Sequence, residues 1–240
     1  MARGSISVFF PCYNEEANVE SAVRKATAVL DALTADYEVI VVNDGSADRT
    51  GQIADRLALA DPRIRAIHHP TNRGYGGAVQ SGIRAATKKF VFFTDGDGQF
   101  DMTELPPLLP LMDEFDFVAC WRIERQDPWI RRLNSWCWTR LVNLVLGIRI
   151  RDVNCAFKLF RRRIFATTPL HSTGALISAE ILARATRSGC RMTQRGVHHY
   201  PRTAGVQTGA KSRVILLAFK ELVGLRRLIL ADGRDETGKA

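Results

Sequence analysis

Short apolar runs alternate with amphipathic helical patterns over the first half of the chain, and this alternation constrains the fold more than any other feature. Runs from Ile6 to Phe10, Tyr37 to Val42, Ile64 to His68, Phe90 to Thr94 and Phe117 to Cys120 read as strands bounded by turn residues. Between the first two, Val19, Ala22, Val23, Ala26, Val29, Leu30 and Leu33 keep the three-and-four spacing of one buried helix face. The pattern predicts a mostly parallel sheet sandwiched by helices, an α/β chain of Rossmann-like type. With 240 residues, 46% of them hydrophobic, the chain can bury such a core without disulfide staples.

Ligands of open α/β sheets collect beyond the carboxyl ends of the strands. Polar clusters stand there in this sequence: PCYNEE after the first run, NDGSAD after the second, HPTNRGYGG after the third and TDGDGQ after the fourth. In the last of these Asp95, Asp97 and Gln99 alternate with Gly96 and Gly98, so in an extended turn their oxygens can face one side. Either these acids are solvated turn formers or they hold a hard divalent cation such as magnesium or manganese. A calcium EF-hand loop starting at Asp95 is excluded, because its sixth and twelfth positions are Phe100 and Pro106.

Asp44 ends the second run, placed to accept from ribose hydroxyls or base amines, with Gly45 allowing the turn; Asp48 reads as a cap for the next helix. The NRGYGGAVQSG stretch lacks the third glycine of a dinucleotide fingerprint, since position 79 is Val, and Gly74, Gly76 and Gly77 also suit helix packing and a tight turn into a helix. His68, His69, His198 and His199 have no metal-ligand spacing and read as strand-end packing.

The formal charge of +9 calls for an anionic partner: nucleic acid, a phosphorylated metabolite or a membrane surface. Five scattered cysteines without a C-x-x-C pair argue for reduced thiols and a cytosolic setting. No window reaches the ~20 apolar residues of a spanning helix, and the N-terminus lacks a signal-peptide core. Two basic stretches suit a bilayer boundary instead. One carries Arg122, Arg125, Arg131 and Arg132 among tryptophans and leucines. The other is an amphipathic pattern with Ile215, Phe219, Leu222 and Ile229 on one face and Arg213, Lys220 and Arg227 on another. Each also suits a solvated basic helix or packing, against the domain or against a second copy in a homo-oligomer.

Taken in order, FFPCYNEE, VVNDGSADRT, NRGYGGAVQSG, TDGDGQF, RDVNCAFKLFRR and HHYPRTAG resemble the family-two glycosyltransferases of GT-A fold. Within them the likeness is to the polyprenyl-phosphate sugar transferases, the branch of the dolichyl-phosphate mannose synthases, and it runs from residue 5 to about 205. The resemblance implies a GT-A catalytic domain over 1–210, an amphipathic basic helix over 211–230 and a disordered tail over 231–240. It implies that Pro11, Tyr13, Asn14, Glu15, Val42, Asp44, Gly74 and Gly96 line the nucleotide sugar, GDP-mannose or UDP-glucose. Asp95, Asp97 and Gln99 would hold Mg2+ or Mn2+ against its diphosphate, and Arg202 would meet the same diphosphate. Arg122 or Arg125, with Arg131 and Ser135, would bind the phosphate of a polyprenyl acceptor, on the cytoplasmic face of a membrane and with peripheral contact.

Such an acceptor is a phosphate monoester with a second pKa of about 6, already ionised at neutral pH, so transfer with inversion needs no general base. A saccharide or small hydroxylic acceptor would need one, and Asp152 or Glu180 are the candidates. Otherwise Asp152 positions the acceptor or pairs with Arg149 or Arg151, and Glu180, in a helical stretch, reads equally as a surface residue. The remaining alternative is a non-catalytic basic module that binds nucleic acid or membrane; Asp95, Asp97 and Gln99 together argue against it, since pure binding needs no such metal triad, and the favoured reading has no nucleic-acid partner.

Overall fold

Seven strands of the computed structural model, which describes residues 4–34, 36–124, 129–202 and 221–232, join in one sheet. They are β1 (Ile6–Cys12), β2 (Tyr37–Asn43), β3 (Ile64–His68), β4 (Phe90–Phe93), β5 (Phe117–Ile123), β6 (Lys158–Arg161) and β7 (Met192–His198), in the order β3-β2-β1-β4-β6-β5-β7. All neighbours run parallel except β6, which is antiparallel to both β4 and β5. The five sequence-predicted runs are all strands, so the expected mostly parallel α/β sheet is the one found. β6 and β7 were not foreseen: four residues of KLFR are too few for periodicity, and the edge strand MTQRGVH is half-exposed and mixed in polarity.

Helices α1 (Val19–Leu33), α2 (Thr50–Ala60), α3 (Gly74–Ala85), α4 (Trp129–Leu146) and α5 (Ile177–Arg187) complete the layers. α1 and α2 pack together, while α3 lies against α5. Right-handed crossovers account for this: β1-α1-β2-α2-β3 steps outward, and the return from β3 through α3 to β4 crosses the opposite face. The α1 stripe read from the sequence is buried at Val19, Ala22, Val23, Ala26 and Leu30. Aromatic rings fill the centre, with Phe9 stacked on Phe93 at 5.2 Å and Phe117 on Phe160 at 5.3 Å between centroids.

Residues 221–232 are helical. Leu222, Leu225 and Ile229 are buried, and Asp232 pairs with Arg184 of α5 at 2.8 Å, so this apolar stripe faces the domain itself. The tail expected over 231–240 is corrected at its start, since Ala231 and Asp232 belong to this helix; Arg213, Ile215, Phe219, Lys220 and residues 233–240 lie outside the described residues. No helix among the described residues is long and apolar enough to cross a membrane.

The strand order reverses between β1 and β4. At such a switch point the loops leaving neighbouring carboxyl ends diverge to opposite faces and open a crevice. PCYNEE leaves β1 and TDGDGQ leaves β4 on its two sides.

Candidate active site

Three segments far apart in sequence meet at this crevice. Arg202 Nη2 is hydrogen-bonded to Glu15 Oε1, and Arg202 Nη1 lies 3.9 Å from Asp97 Oδ2. Glu15 is fixed in turn, its amide donating to Thr50 Oγ1 at 2.8 Å and its Oε2 accepting from Asn18 Nδ2 at 2.7 Å. Gln99 ties the strand-end turn to the segment that carries Arg202: its Nε2 donates to Tyr200 O at 3.0 Å and its carbonyl accepts from Tyr200 N at 2.9 Å. The amide nitrogen being so used, the side-chain oxygen of Gln99 is the atom it can offer a ligand.

Asp95 and Asp97 are crowded carboxylates. Burial, and then the charge of Asp97, push the Asp95 carboxyl up to about 7, against a hydrogen bond from Tyr75 Oη at 2.9 Å and the positive charges of Lys158 and Arg122. Burial likewise raises Asp97, opposed by the Gln99 amide at 3.1 Å and by Arg202. A divalent cation relieves this kind of repulsion, and two carboxylates with a carboxamide oxygen make a hard donor set that fits magnesium or manganese. Among the described residues no group of three or more His, Cys, Asp or Glu gathers as a cation site, so the set rests on these two acids and Gln99.

The other expected nucleotide residues divide by what their side chains already do. Tyr13 is 45% exposed at the mouth of the crevice, and Pro11 is buried in β1. Asn14, in the left-handed region at φ 56, accepts from Ala47 N at 2.9 Å, so its side chain joins the loops after β1 and β2. Val42 is wholly buried in β2, and only its main chain can line a ligand. Asp48 accepts from Thr50 N and Glu16 N and so shapes the turn into α2, whose cap position falls one residue later, on Arg49. Gly96 packs against Cys12, where a Cβ would come within 2.7 Å of the thiol.

The glycines after β3 serve packing. Gly76 N and Gly77 N donate to Thr173 O at 2.7 and 3.3 Å, so the first amides of α3 are capped by the chain rather than open to phosphate. A Cβ on Gly76 would sit 2.2 Å from Ser172 O, and one on Gly74 would sit 2.6 Å from Thr173 O. Glu180 holds the same loop from beneath. It is fully buried and accepts from the amides of His171 and Ser172 and from Arg184 Nε at 2.9 Å. As a candidate base Glu180 is therefore corrected: its oxygens are engaged inside the fold, not offered to an acceptor.

Asp152 is corrected in its partner. It pairs with neither Arg149 nor Arg151 but takes a two-pronged contact from Arg122, with Nε to Oδ2 at 2.6 Å and Nη2 to Oδ1 at 3.0 Å. The Arg122 fork is thus committed to a carboxylate. Lys158, fully buried on β6, donates to Val153 O and Cys155 O and so braces the turn that bears Asp152. Arg131 and Ser135 stand one turn apart on α4, and Arg125 lies outside the described residues. The start of α4 is unusually apolar for its exposure: Trp129 is 71%, Leu133 48% and Trp136 57% exposed, with the Arg140 guanidinium 5.3 Å from the Trp136 ring centroid.

Sequence reasoning missed His69, Ser81 and Tyr75. His69 bonds Asp44 and Ser81, and Tyr75 bonds Asp95. The available signal was position: His69 directly follows β3 at the ligand edge, and Tyr75 opens the helix that faces it.

Residues 7–168 match the family described as Glycosyl transferase family 2. The chain is 34% identical over 207 residues to Glycosyltransferase AglD of Haloferax volcanii, covering 82% of this chain and 33% of that protein. It is 31% identical over 220 residues to an undecaprenyl-phosphate 4-deoxy-4-formamido-L-arabinose transferase of Enterobacter sp., covering 89% of this chain and 65% of that one. It thus spans from a third to just under two thirds of these relatives' lengths. Among solved structures it resembles Mycobacterium tuberculosis glucosyl-3-phosphoglycerate synthase. The form with Mn2+, UDP and phosphoglyceric acid gives a TM-score of 0.69 at 21% identity, over 91% of this chain and 78% of that one. The form with Mn2+ and UDP-glucose gives 0.70 at 21%, over 92% and 79%. These likenesses are of fold, the GT-A arrangement.

Proposed function

The chain belongs to glycosyl transferase family 2, and we propose that it moves a hexose from a nucleotide sugar to a polyprenyl phosphate, with inversion, at the cytoplasmic face of a membrane. The observation that carries this reading is the meeting of Glu15, Asp97 and Arg202 beside Asp95 at the switch point. A GT-A catalytic domain over 1–210 accounts for all of these residues.

In the proposed reaction the nucleotide lies along the carboxyl ends of β1 and β2, against Tyr13 and Asp44. Asp95, Asp97 and the Gln99 oxygen would hold Mg2+ or Mn2+, which when bound supplies charge neutralisation to the departing nucleoside diphosphate. Arg202 turns its planar fork from Glu15 to the diphosphate and stabilises the same developing charge. The acceptor phosphate, ionised before it binds, attacks the anomeric carbon as the bond to the diphosphate breaks. Arg131 and Ser135 orient it, while Arg122, locked to Asp152, contributes a fixed positive field rather than a free fork.

Support for a lipid acceptor comes from two sides. An undecaprenyl-phosphate transferase is among the relatives, and α4 presents Trp129, Leu133 and Trp136 beside arginines, the composition of a bilayer headgroup boundary. Transfer to a saccharide hydroxyl is the second reading, and it wants a base; Asp152 held by Arg122 and Glu180 buried under the 171–173 loop weigh against it.

Incubation with Mn2+, labelled GDP-mannose or UDP-glucose and vesicles containing a polyprenyl phosphate tests the proposal. Organic-extractable label supports it. Label confined to a water-soluble sugar product moves the assignment to the second reading, and salt-sensitive DNA binding without nucleotide-sugar binding moves it to a binding module.

A further inference from the structure

One oxygen of Asp44 is engaged inside the fold. Its Oδ1 accepts from His69 Nδ1 at 2.5 Å and from the Arg73 amide at 2.8 Å, while no described residue bonds its Oδ2. His69 continues the chain, its Nε2 lying 2.8 Å from Ser81 Oγ on α3. Both side chains of the Asp44–His69 pair are 3% exposed, so water does not compete for the contact. A carboxylate only accepts, so Nδ1 bears the hydrogen; in the neutral ring Nε2 then accepts from the Ser81 hydroxyl. Asp44 thereby fixes a hydrogen on Nδ1, the Ser81 hydroxyl adapts to Nε2, and the ring in turn holds the carboxylate in one rotamer.

We propose that His69 and Ser81 are positioning residues for nucleoside recognition: together they form a relay from α3 through the end of β3 to β2 that aims Asp44 Oδ2 at a hydrogen-bond donor of the base or ribose. The inference rests on the reading that places Asp44 against the nucleotide. It follows from the chemistry of the contact. A lone carboxylate at a strand end samples several rotamers, and a ligand must then bear the cost of ordering it; a carboxylate already held by two donors presents its second oxygen ready oriented. The relay touches neither the diphosphate nor the acceptor end, so its influence falls on the nucleoside half of the donor alone.

The test is calorimetric titration of the full chain, in the presence of Mn2+, with UDP, GDP and inorganic pyrophosphate. His69→Ala is expected to weaken the better-bound nucleoside diphosphate about tenfold or more, the worth of a hydrogen bond to a charged group, and to leave pyrophosphate affinity unchanged. With nucleotide sugar, KM rises and kcat holds. His69→Asn places an amide N–H where Nδ1–H stands and restores most of the affinity, whereas Ser81→Ala gives a smaller loss of the same kind. Thermal midpoints check that each variant folds, and if His69→Ala does not, the Asn and Ser81→Ala variants decide. Equal losses for pyrophosphate and nucleotide would overturn the inference, since they mark a general structural defect. Unchanged binding in the His69 and Ser81 variants with loss in Asp44→Ala also overturns it while leaving Asp44 at the nucleotide. Unchanged binding in Asp44→Ala removes the underlying reading and the inference together.

Discussion

Arg202 is hydrogen-bonded to Glu15, a partner 187 positions earlier in the chain. The bond closes the segment after β7 onto the loop after β1 and holds a guanidinium at the crevice before any ligand arrives. Arg202→Lys keeps the charge but loses the planar fork. It is expected to lower kcat/KM for the nucleotide sugar about 10- to 100-fold, read from initial rates, with little change in thermal midpoint.

Under the proposed function, cation binding at Asp95 would depend on pH. Its carboxyl is held up to about 7, so at pH 6 a proton occupies the position a cation needs. Affinity for Mn2+, followed by calorimetry, is expected to fall several-fold from pH 8 to pH 6. The stability sign follows from the raised value. In chelator-treated protein the contribution of this carboxyl is fully present below the ordinary carboxylate range near 3.9 and is lost as pH rises through about 7. Mn2+ then raises the melting temperature more at pH 8 than at pH 6, and Asp97→Asn abolishes the rise.

Glu38 works in the opposite sense. Its carboxyl is buried, which alone would raise it, yet Ser7 Oγ, Thr87 N and Thr87 Oγ1, each at 2.7 Å, and Arg65 at 2.8 Å hold it below the usual range. Stability from this group is present above the ordinary carboxylate range and lost as pH falls through the lower folded value. Glu38→Gln is expected to cost about 1–3 kcal/mol at pH 7 and to flatten the acid limb of a urea-unfolding series between pH 7 and pH 3.

Glu180→Gln discriminates a structural carboxylate from a catalytic one. The loss of charge opposite Arg184 and two amides is expected to destabilise by about 3 kcal/mol, lowering the denaturation midpoint. Activity per folded molecule, measured well below that midpoint, should stay within about twofold of wild type; a collapse of kcat in folded protein would show that the buried carboxylate acts in the chemistry.

On α4, replacing Trp129, Leu133 and Trp136 together by Ser removes exposed apolar surface and leaves the arginines. Sedimentation with anionic vesicles is expected to show at least about a tenfold loss of partitioning, with transfer to a short, water-soluble acceptor phosphate retained.

Strand positions and the ligand edge were legible because apolar runs and the polar clusters that end them are local. The acid turn at 95–99 was legible for the same reason. What the sequence hid is pairing over distance. Asp152 stands beside Arg151 in the chain but bonds Arg122, and Glu180 looks like an ordinary helix acid until the 171–173 loop folds over it. His69 read as a packing residue because its partners Asp44 and Ser81 lie 25 and 12 positions away, one on each side. Tertiary geometry decides such partners, and no periodicity reports them.

β6 enters the sheet upside down between β4 and β5. Its presence holds the carboxyl ends of those two strands two interstrand steps apart, roughly 10 Å, and those ends bear the acid turn on one side and Arg122 on the other. The reversed strand is therefore a spacer: it fixes how far the acid turn stands from the Arg122–Asp152 pair, and whatever occupies the crevice between them must match that width.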